Sequence, residues 1–186
     1  EEYHSFCEAN EFWLSDYCLF MAIREDQGET PWTEWPEELR NLKKKERPAL
    51  EEKLAEGIAY QRFLQYLFYI QWYDLKQYAN DKGIAIIGDI PIFVSPDGAD
   101  VWANRHLFQV NEEGYPDSVA GVPPDYFSTT GQKWNNPLYD WDAHKEEGYK
   151  WWIARIRNQI DQVDYLRIDH FRGFEAYWEV DAKEET

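Results

Sequence analysis

Three polar residues stand at the ends of two apolar segments. Asp89 closes the body of IAIIGDIPIFV (residues 84–94), and Arg167 and Asp169 close VDYLRID (residues 163–169). If both segments are strands, Arg167 and Asp169 project to one face, because side chains alternate along a strand. A nearby guanidinium favours the ionised form of a carboxylate. An ionised carboxylate at the mouth of a parallel sheet suits nucleophilic attack on a sugar's anomeric carbon with retention. An Arg–Asp ion pair tying strand to loop would use the same residues, and structural pairs of this kind are common. A metal reading would take Asp89, Asp169 and His170 as ligands. It is disfavoured by four scattered histidines and by the lack of any His-x-x-x-His or Cys cluster. His170 then reads as a residue that packs in the wall or orients a neighbour.

A second candidate is the segment AGVPPDYFSTTGQKWNNPLYDWD (residues 120–142). Pro123 and Pro124 stiffen its start, and Gly121 and Gly131 permit tight turns. Tyr126, Phe127, Trp134 and Tyr139 interleave with Asp125, Ser128, Gln132 and Asn136. Flat rings can stack on sugar faces while amides and carboxylates take hydroxyls. Packing of the loop on itself accounts for the pattern almost as well.

The elements that would position these residues follow from apolar spacing. A helix is expected over residues 9–24, N-capped by Asn10, buried on more than one side and followed by Gly28. A proline- and tryptophan-bearing excursion over residues 29–40 reads as ordered surface. The longest helical signal covers residues 48–82. Gly57 loosens its join, Tyr60, Leu64, Leu67, Leu75 and Tyr78 form its stripe, and Gly83 takes the C′ position. The run at 84–94 reads as a strand buried on both faces and ending near Asp89, since Pro91 cannot donate to a ladder. A long loop over residues 95–141 follows. Next comes a helix over residues 143–160, capped by Asp142, with Tyr149, Trp152, Ile153, Ile156 and Ile160 as its stripe. Helix, strand, loop, helix, strand is the order of an α/β protein with a parallel sheet, whose long loops after strand ends carry function.

Composition narrows the partners. A formal net charge of -17 disfavours nucleic acid and anionic membrane, and the basic cluster Lys43, Lys44, Lys45 and Arg47, flanked by glutamates, reads as a solvated helix start. Two cysteines without C-x-x-C spacing fit a reduced, cytosolic protein. There is no apolar run of transmembrane length and no signal-peptide pattern. A chain opening at Glu1 without Met is expected to continue upstream. The 186 residues are short for a complete (β/α)₈ barrel of roughly 250. Aromatic residues make up 18%, which serves a core first and sugar platforms second.

With those residues in view, YLRIDHFRGFEAYW (165–178) resembles the nucleophile motif of the amylomaltases and plant disproportionating enzymes, 4-α-glucanotransferases of glycoside hydrolase family 77. GDIPIFVSPDGADVWANRHLF (88–108) resembles that family's third barrel strand and its loop. AGVPPDYFSTTGQKWNNPLYDW (120–141) resembles the loop over its active site, and FCEANEFWLSDYCLFMAIRE (6–25) is also similar. The resemblance covers nearly the whole chain. It implies a partial (β/α)₈ TIM barrel, about strands 3 and 4 with flanking helices, over residues 48–186, and a helical insertion over residues 1–47. It further implies that Asp169 is the nucleophile and that Arg167 holds it ionised and oriented. Asp89, Asp125, Tyr126, Trp134 and His170 would bind an α-1,4-glucan, with no cofactor or metal. The acid/base Glu would lie on a strand beyond this sequence, so the chain alone could be a noncatalytic glucan-binding or structural fragment. A cytoplasmic protein is implied, or a plastid one in a plant. One position departs from the pattern: Asn135 stands where the family usually has Gly.

Overall fold

A computed structural model describes residues 1–185, and its contacts gather into two compact units, Glu1–Leu75 and Lys76–Thr186. The division falls inside a helix, whereas the sequence placed its own at residue 47.

The first unit opens with α1 (Glu2–Asp26). Asn10 lies inside this helix and does not cap it. Its Nδ2 donates to Phe6 O one turn back, and its Oδ1 accepts from Trp13 Nε1. Leu14, Cys18, Leu19, Ala22 and Ile23 are buried along one stripe, while Phe20, on another side, meets Trp35 at 5.2 Å between centroids. Burial pushes the Cys18 thiol up to about 11, the behaviour of a core side chain. The excursion after α1 is ordered. A 3₁₀ turn (Trp32–Glu34) and α2 (Glu37–Arg40) follow prolines, with Trp32 and Trp35 buried and Trp35 Nε1 donating to Thr30 O.

The expected single helix over residues 48–82 is two: α3 (Arg47–Lys53) and α4 (Ala55–Asp81). The break falls at Leu54 and not at Gly57. Gly57 instead marks a close approach, since a Cβ there would stand 3.3 Å from Ala22 Cβ. Lys43, Lys44 and Lys45 are exposed as expected, but Arg47 is engaged by Asp16 on α1 and Glu51 one turn on. The face of α4 that α1 covers is marked by buried Ile58 and Tyr69, the latter against Phe6 and Trp13. Most of the expected stripe, Tyr60, Leu64, Leu75 and Tyr78, is exposed. An apolar period shows which residues could share a face, not which face finds a partner.

In the second unit Gly83 ends α4 at φ +74°, with Ile84 N–H reaching back to Ala79 O, the hydrogen bond of a Schellman cap. β1 (Ile87–Pro91) pairs in parallel with β4 (Tyr165–Asp169), forming a two-stranded sheet. Asp164 gathers their starting ends. It accepts from Ile86 N–H at 2.7 Å and Asn80 Nδ2 at 2.8 Å and pairs with Lys76, and these partners hold its carboxyl below the usual range. β1 runs two residues past Asp89. Neither strand is buried on both faces: Ile87 and Tyr165 are mostly exposed, because no third strand joins this sheet among the described residues.

The segment expected as one long loop holds α5 (Ala99–Ala103), β2 (Ser118–Val122) and β3 (Gln132–Pro137). With β5 (Trp178–Asp181) these strands form an antiparallel sheet of order β3-β2-β5. The helix expected from Asp142 is split into α6 (Trp141–Glu146) and α7 (Lys150–Gln162) by left-handed Gly148 and Tyr149. Its cap is Asp140, whose Oδ1 accepts from Ala143 N–H, and not Asp142. Of the expected α7 stripe only Trp152 is buried, and Tyr149, Ile153 and Ile160 are exposed. β1, α7 and β4 together make a βαβ unit.

Candidate active site

The β1–β4 register sets Asp89 opposite Arg167 and Pro91 opposite Asp169. Side chains two apart on a strand share a face, so Asp89, Arg167 and Asp169 project together from the carboxyl ends of parallel strands. Arg167 grips Asp89 with both arms of its fork. Nε donates to Oδ1 at 3.0 Å and Nη2 donates to Oδ2, while Nη2 lies 3.5 Å from Asp169 Oδ1. The guanidinium was expected to serve Asp169 first, and its hydrogen bonds go to Asp89. The register explains this, because residues directly opposite are nearest. Hydrogen bonds from Arg167 hold the Asp89 carboxyl below the usual carboxylate range, and Asp89 raises Arg167 in return. All three side chains are open to solvent, with Asp169 60% exposed.

His170, next to Asp169, takes a left-handed conformation (φ 52°) and starts a 3₁₀ turn, Phe171–Phe174. Its ring meets the Trp134 indole edge-to-face at 5.1 Å and lies 6.3 Å from Phe93. Phe93, just past β1, is buried and also contacts Trp134, Tyr139 and Tyr177. Trp134 and His170 are thus brought together beside Asp169 by elements distant in sequence.

Asp125 and Tyr126 are placed differently. Asp125 Oδ1 accepts from the N–H groups of Phe127 and Ser128, and Ser128 Oγ donates to Gly131 O, so the tip of the β2–β3 connection is a self-bonded turn. Tyr126 is 97% exposed, with its ring edge on Phe127. Among the described residues no hydrogen bond or ring contact joins Asp125 or Tyr126 to the strand-end trio.

Sequence reasoning missed one support. Tyr139, fully buried, donates from its hydroxyl to Ile92 O at 2.6 Å. Arg155 of α7 donates to Pro91 O at 2.8 Å and Ile92 O at 3.1 Å, with its guanidinium over Trp151 and Trp152. Together they fix the exit of β1. Asn135, the position that departs from the family pattern, is left-handed at φ 62°. Its departure from Gly was the available signal, since Asn tolerates that region better than other residues with a Cβ. Among the described residues no group of three or more His, Cys, Asp or Glu could hold a metal ion, and no helix is long and apolar enough to cross a membrane.

Two carboxylates and a guanidinium thus stand at the carboxyl ends of two parallel strands, with the Trp134, His170 and Phe93 rings packed together next to Asp169 in the chain. Known proteins share this sequence and fold. An amylomaltase from Streptococcus agalactiae, solved in complex with acarbose, superposes with a TM-score of 0.92 at 45% identity, over 99% of this chain and 37% of that one. A 4-alpha-glucanotransferase from Thermus thermophilus is 50% identical over 98% of this chain and 36% of its own length. One from Solanum tuberosum, named chloroplastic/amyloplastic, is 46% identical over 92% of this chain and 30% of its own length. The model of glycoside hydrolase family 77, described as 4-alpha-glucanotransferase, matches residues 1–186, and the chain belongs to that family. It spans little more than a third of the curated relatives it matches.

Proposed function

We propose that the protein carrying this chain is a 4-α-glucanotransferase that moves α-1,4-glucan segments between maltooligosaccharides or starch-type acceptors through a covalent glycosyl-enzyme on Asp169. Residues 48–186 supply about strands 3 and 4 of its barrel, residues 1–47 are a helical insertion, and the protein is cytoplasmic or, in a plant, plastidial. The observation that carries the reading is the Asp169 carboxylate at the carboxyl end of β4, solvent-open and 3.5 Å from the guanidinium of Arg167. In the first half-reaction an Asp169 oxygen bonds to the anomeric carbon as the glycosidic C–O bond breaks, and a carboxylic acid protonates the departing oxygen. In the second half-reaction a sugar 4-hydroxyl attacks the anomeric carbon. It loses its proton to the same group, and the ester to Asp169 breaks.

Asp89 does not serve as that acid. Its carboxyl is held ionised by two hydrogen bonds from Arg167 and has no proton to give near neutrality. Asp89 instead presents lone pairs to sugar hydroxyls, and the proton donor is a carboxyl from another strand. Trp134 and His170 form an apolar wall beside the reacting carbon, while Tyr126, at the tip of the turn that Asp125 holds, reaches more distant sugars.

The test is Asp169→Asn in the intact protein with maltotriose as sole substrate. Disproportionation to glucose and longer oligosaccharides should vanish while maltooligosaccharide binding and the circular dichroism spectrum persist. Turnover at more than about a hundredth of the parent rate would reject Asp169 as nucleophile, since a lost nucleophile costs several orders of magnitude.

A further inference from the structure

β2 and β3 do not pair evenly. Val119 lies opposite Pro137, yet Gly121 lies opposite Lys133, so two steps along β2 match four along β3. The surplus falls at Trp134, Asn135 and Asn136, in a bulge whose middle residue is left-handed at φ 62°. A bulge bends its strand and re-aims the side chains around it, and bulges are over-represented beside active sites. This one is pinned on both sides. Asn136 Nδ2 donates to Val94 O at 2.7 Å, tying the bulge to the segment that leaves β1, and Trp134 Nε1 donates to Gln132 Oε1 at 3.0 Å.

The re-aimed side chain is Trp134, whose indole stands edge-to-face on His170. Behind His170 there is no slack. A Cβ on Gly173 would sit 3.0 Å from His170 Cδ2 and 2.8 Å from Ile92 Cδ1, so the imidazole is wedged between Trp134 and the Gly173 turn. His170 is itself left-handed, and its φ and the preceding ψ set where the chain leaves Asp169.

We propose that Asn135 is a positioning residue: its left-handed backbone holds the bulge that presses Trp134 on His170, and His170 in turn fixes the direction of the Asp169 carboxylate. What matters at position 135 is the backbone conformation and not the amide, so glycine should replace asparagine. A β-branched residue, which avoids positive φ, should not. This rests on the reading of Asp169 as nucleophile.

The experiment compares Asn135→Gly, Asn135→Ala and Asn135→Val in the intact protein, with maltotriose kinetics, thermal midpoints and Asp169→Asn alongside. Asn135→Gly is expected to keep kcat within about threefold. Asn135→Val should lose about 10²-fold in kcat, the order expected for a reacting group displaced by about an ångström, with KM moving much less. If the valine variant does not fold, the alanine variant serves, with a smaller kcat loss in the same direction. Three results would overturn the proposal: a folded valine or alanine variant with parental kcat, a glycine variant as impaired as valine, or a rise in KM with kcat intact. If Asp169→Asn retains turnover, the nucleophile reading has failed. If it abolishes turnover and the position-135 series is flat, only the positioning role has failed.

Discussion

Replacing Tyr139 by Phe deletes one oxygen from the interior of the second unit and leaves the ring packing in place. The hydroxyl donates to Ile92 O at 2.6 Å, and that buried carbonyl also accepts from Arg155 Nη1 at 3.1 Å. Tyr139→Phe therefore leaves Ile92 satisfied, and it removes the bond to Ile92 O and the long one the hydroxyl accepts from Arg155 Nη1 at 3.4 Å, together about 1 kcal/mol. Arg155→Met keeps an aliphatic stem against Trp151 and Trp152 but removes the bonds to Ile92 O and Pro91 O and the long one to the Tyr139 hydroxyl. Hydrogen bonds to a charged donor contribute about 1.5–3 kcal/mol, and the Pro91 end lies where water can substitute, so about 2 kcal/mol is expected. The double variant strips both donors from a carbonyl that is 2% exposed as part of Ile92. Orphaning it adds about 1–2 kcal/mol beyond the two single effects. Urea unfolding followed by near-ultraviolet circular dichroism, with m unchanged, measures the cycle. Additivity within about 0.3 kcal/mol would show that the two donors do not share the load on Ile92, and the account of how the β1 exit is fixed would fail.

Two further outcomes follow from the same geometry. Gly121→Ala places a Cβ 2.4 Å from Gln132 O and 2.7 Å from Val180 Cγ2. Because the nearer atom is backbone, about 3 kcal/mol of destabilisation is expected, and a thermal midpoint within a degree of the parent would contradict the β3-β2-β5 packing. Asp89 should titrate below the ordinary Asp value of about 3.9 when its side-chain carbon is followed by NMR, and Arg167→Gln should move it back up. A depressed carboxyl stabilises the fold above its unfolded pKa and loses that contribution as pH falls through its folded value, so the Arg167 clamp weakens only in acid. An Asp89 midpoint indifferent to Arg167→Gln would refute the clamp.

Much of this is legible in the sequence. The apolar runs ending at Asp89 and Asp169 are β1 and β4, the alternation argument put Arg167 and Asp169 on one face, and Gly83 caps α4. What escaped has physical causes. β2 and β3 read as loop because SVAGV is short and Gly-bearing and QKWNNP carries turn composition, so neither shows the β-branched alternation of a strand. The α6–α7 break lay in Gly148 and Tyr149, where a left-handed pair interrupts an otherwise unbroken helical period. Burial was over-read on both strands and on α4, since an apolar surface names a capacity and only a neighbour makes it a core. The preference of Arg167 for Asp89 over Asp169 required the inter-strand register, which no single-strand pattern contains.

Asp164 works as a fastening pin. One carboxylate ties the tail of α4, the approach to β1 and the threshold of β4 at the strand ends remote from Asp169. The sheet is therefore fastened at both rims, by Asp164 where the strands begin and by Tyr139 and Arg155 where β1 ends. A change at the β1 exit leaves the Asp164 knot to keep the two strands in register.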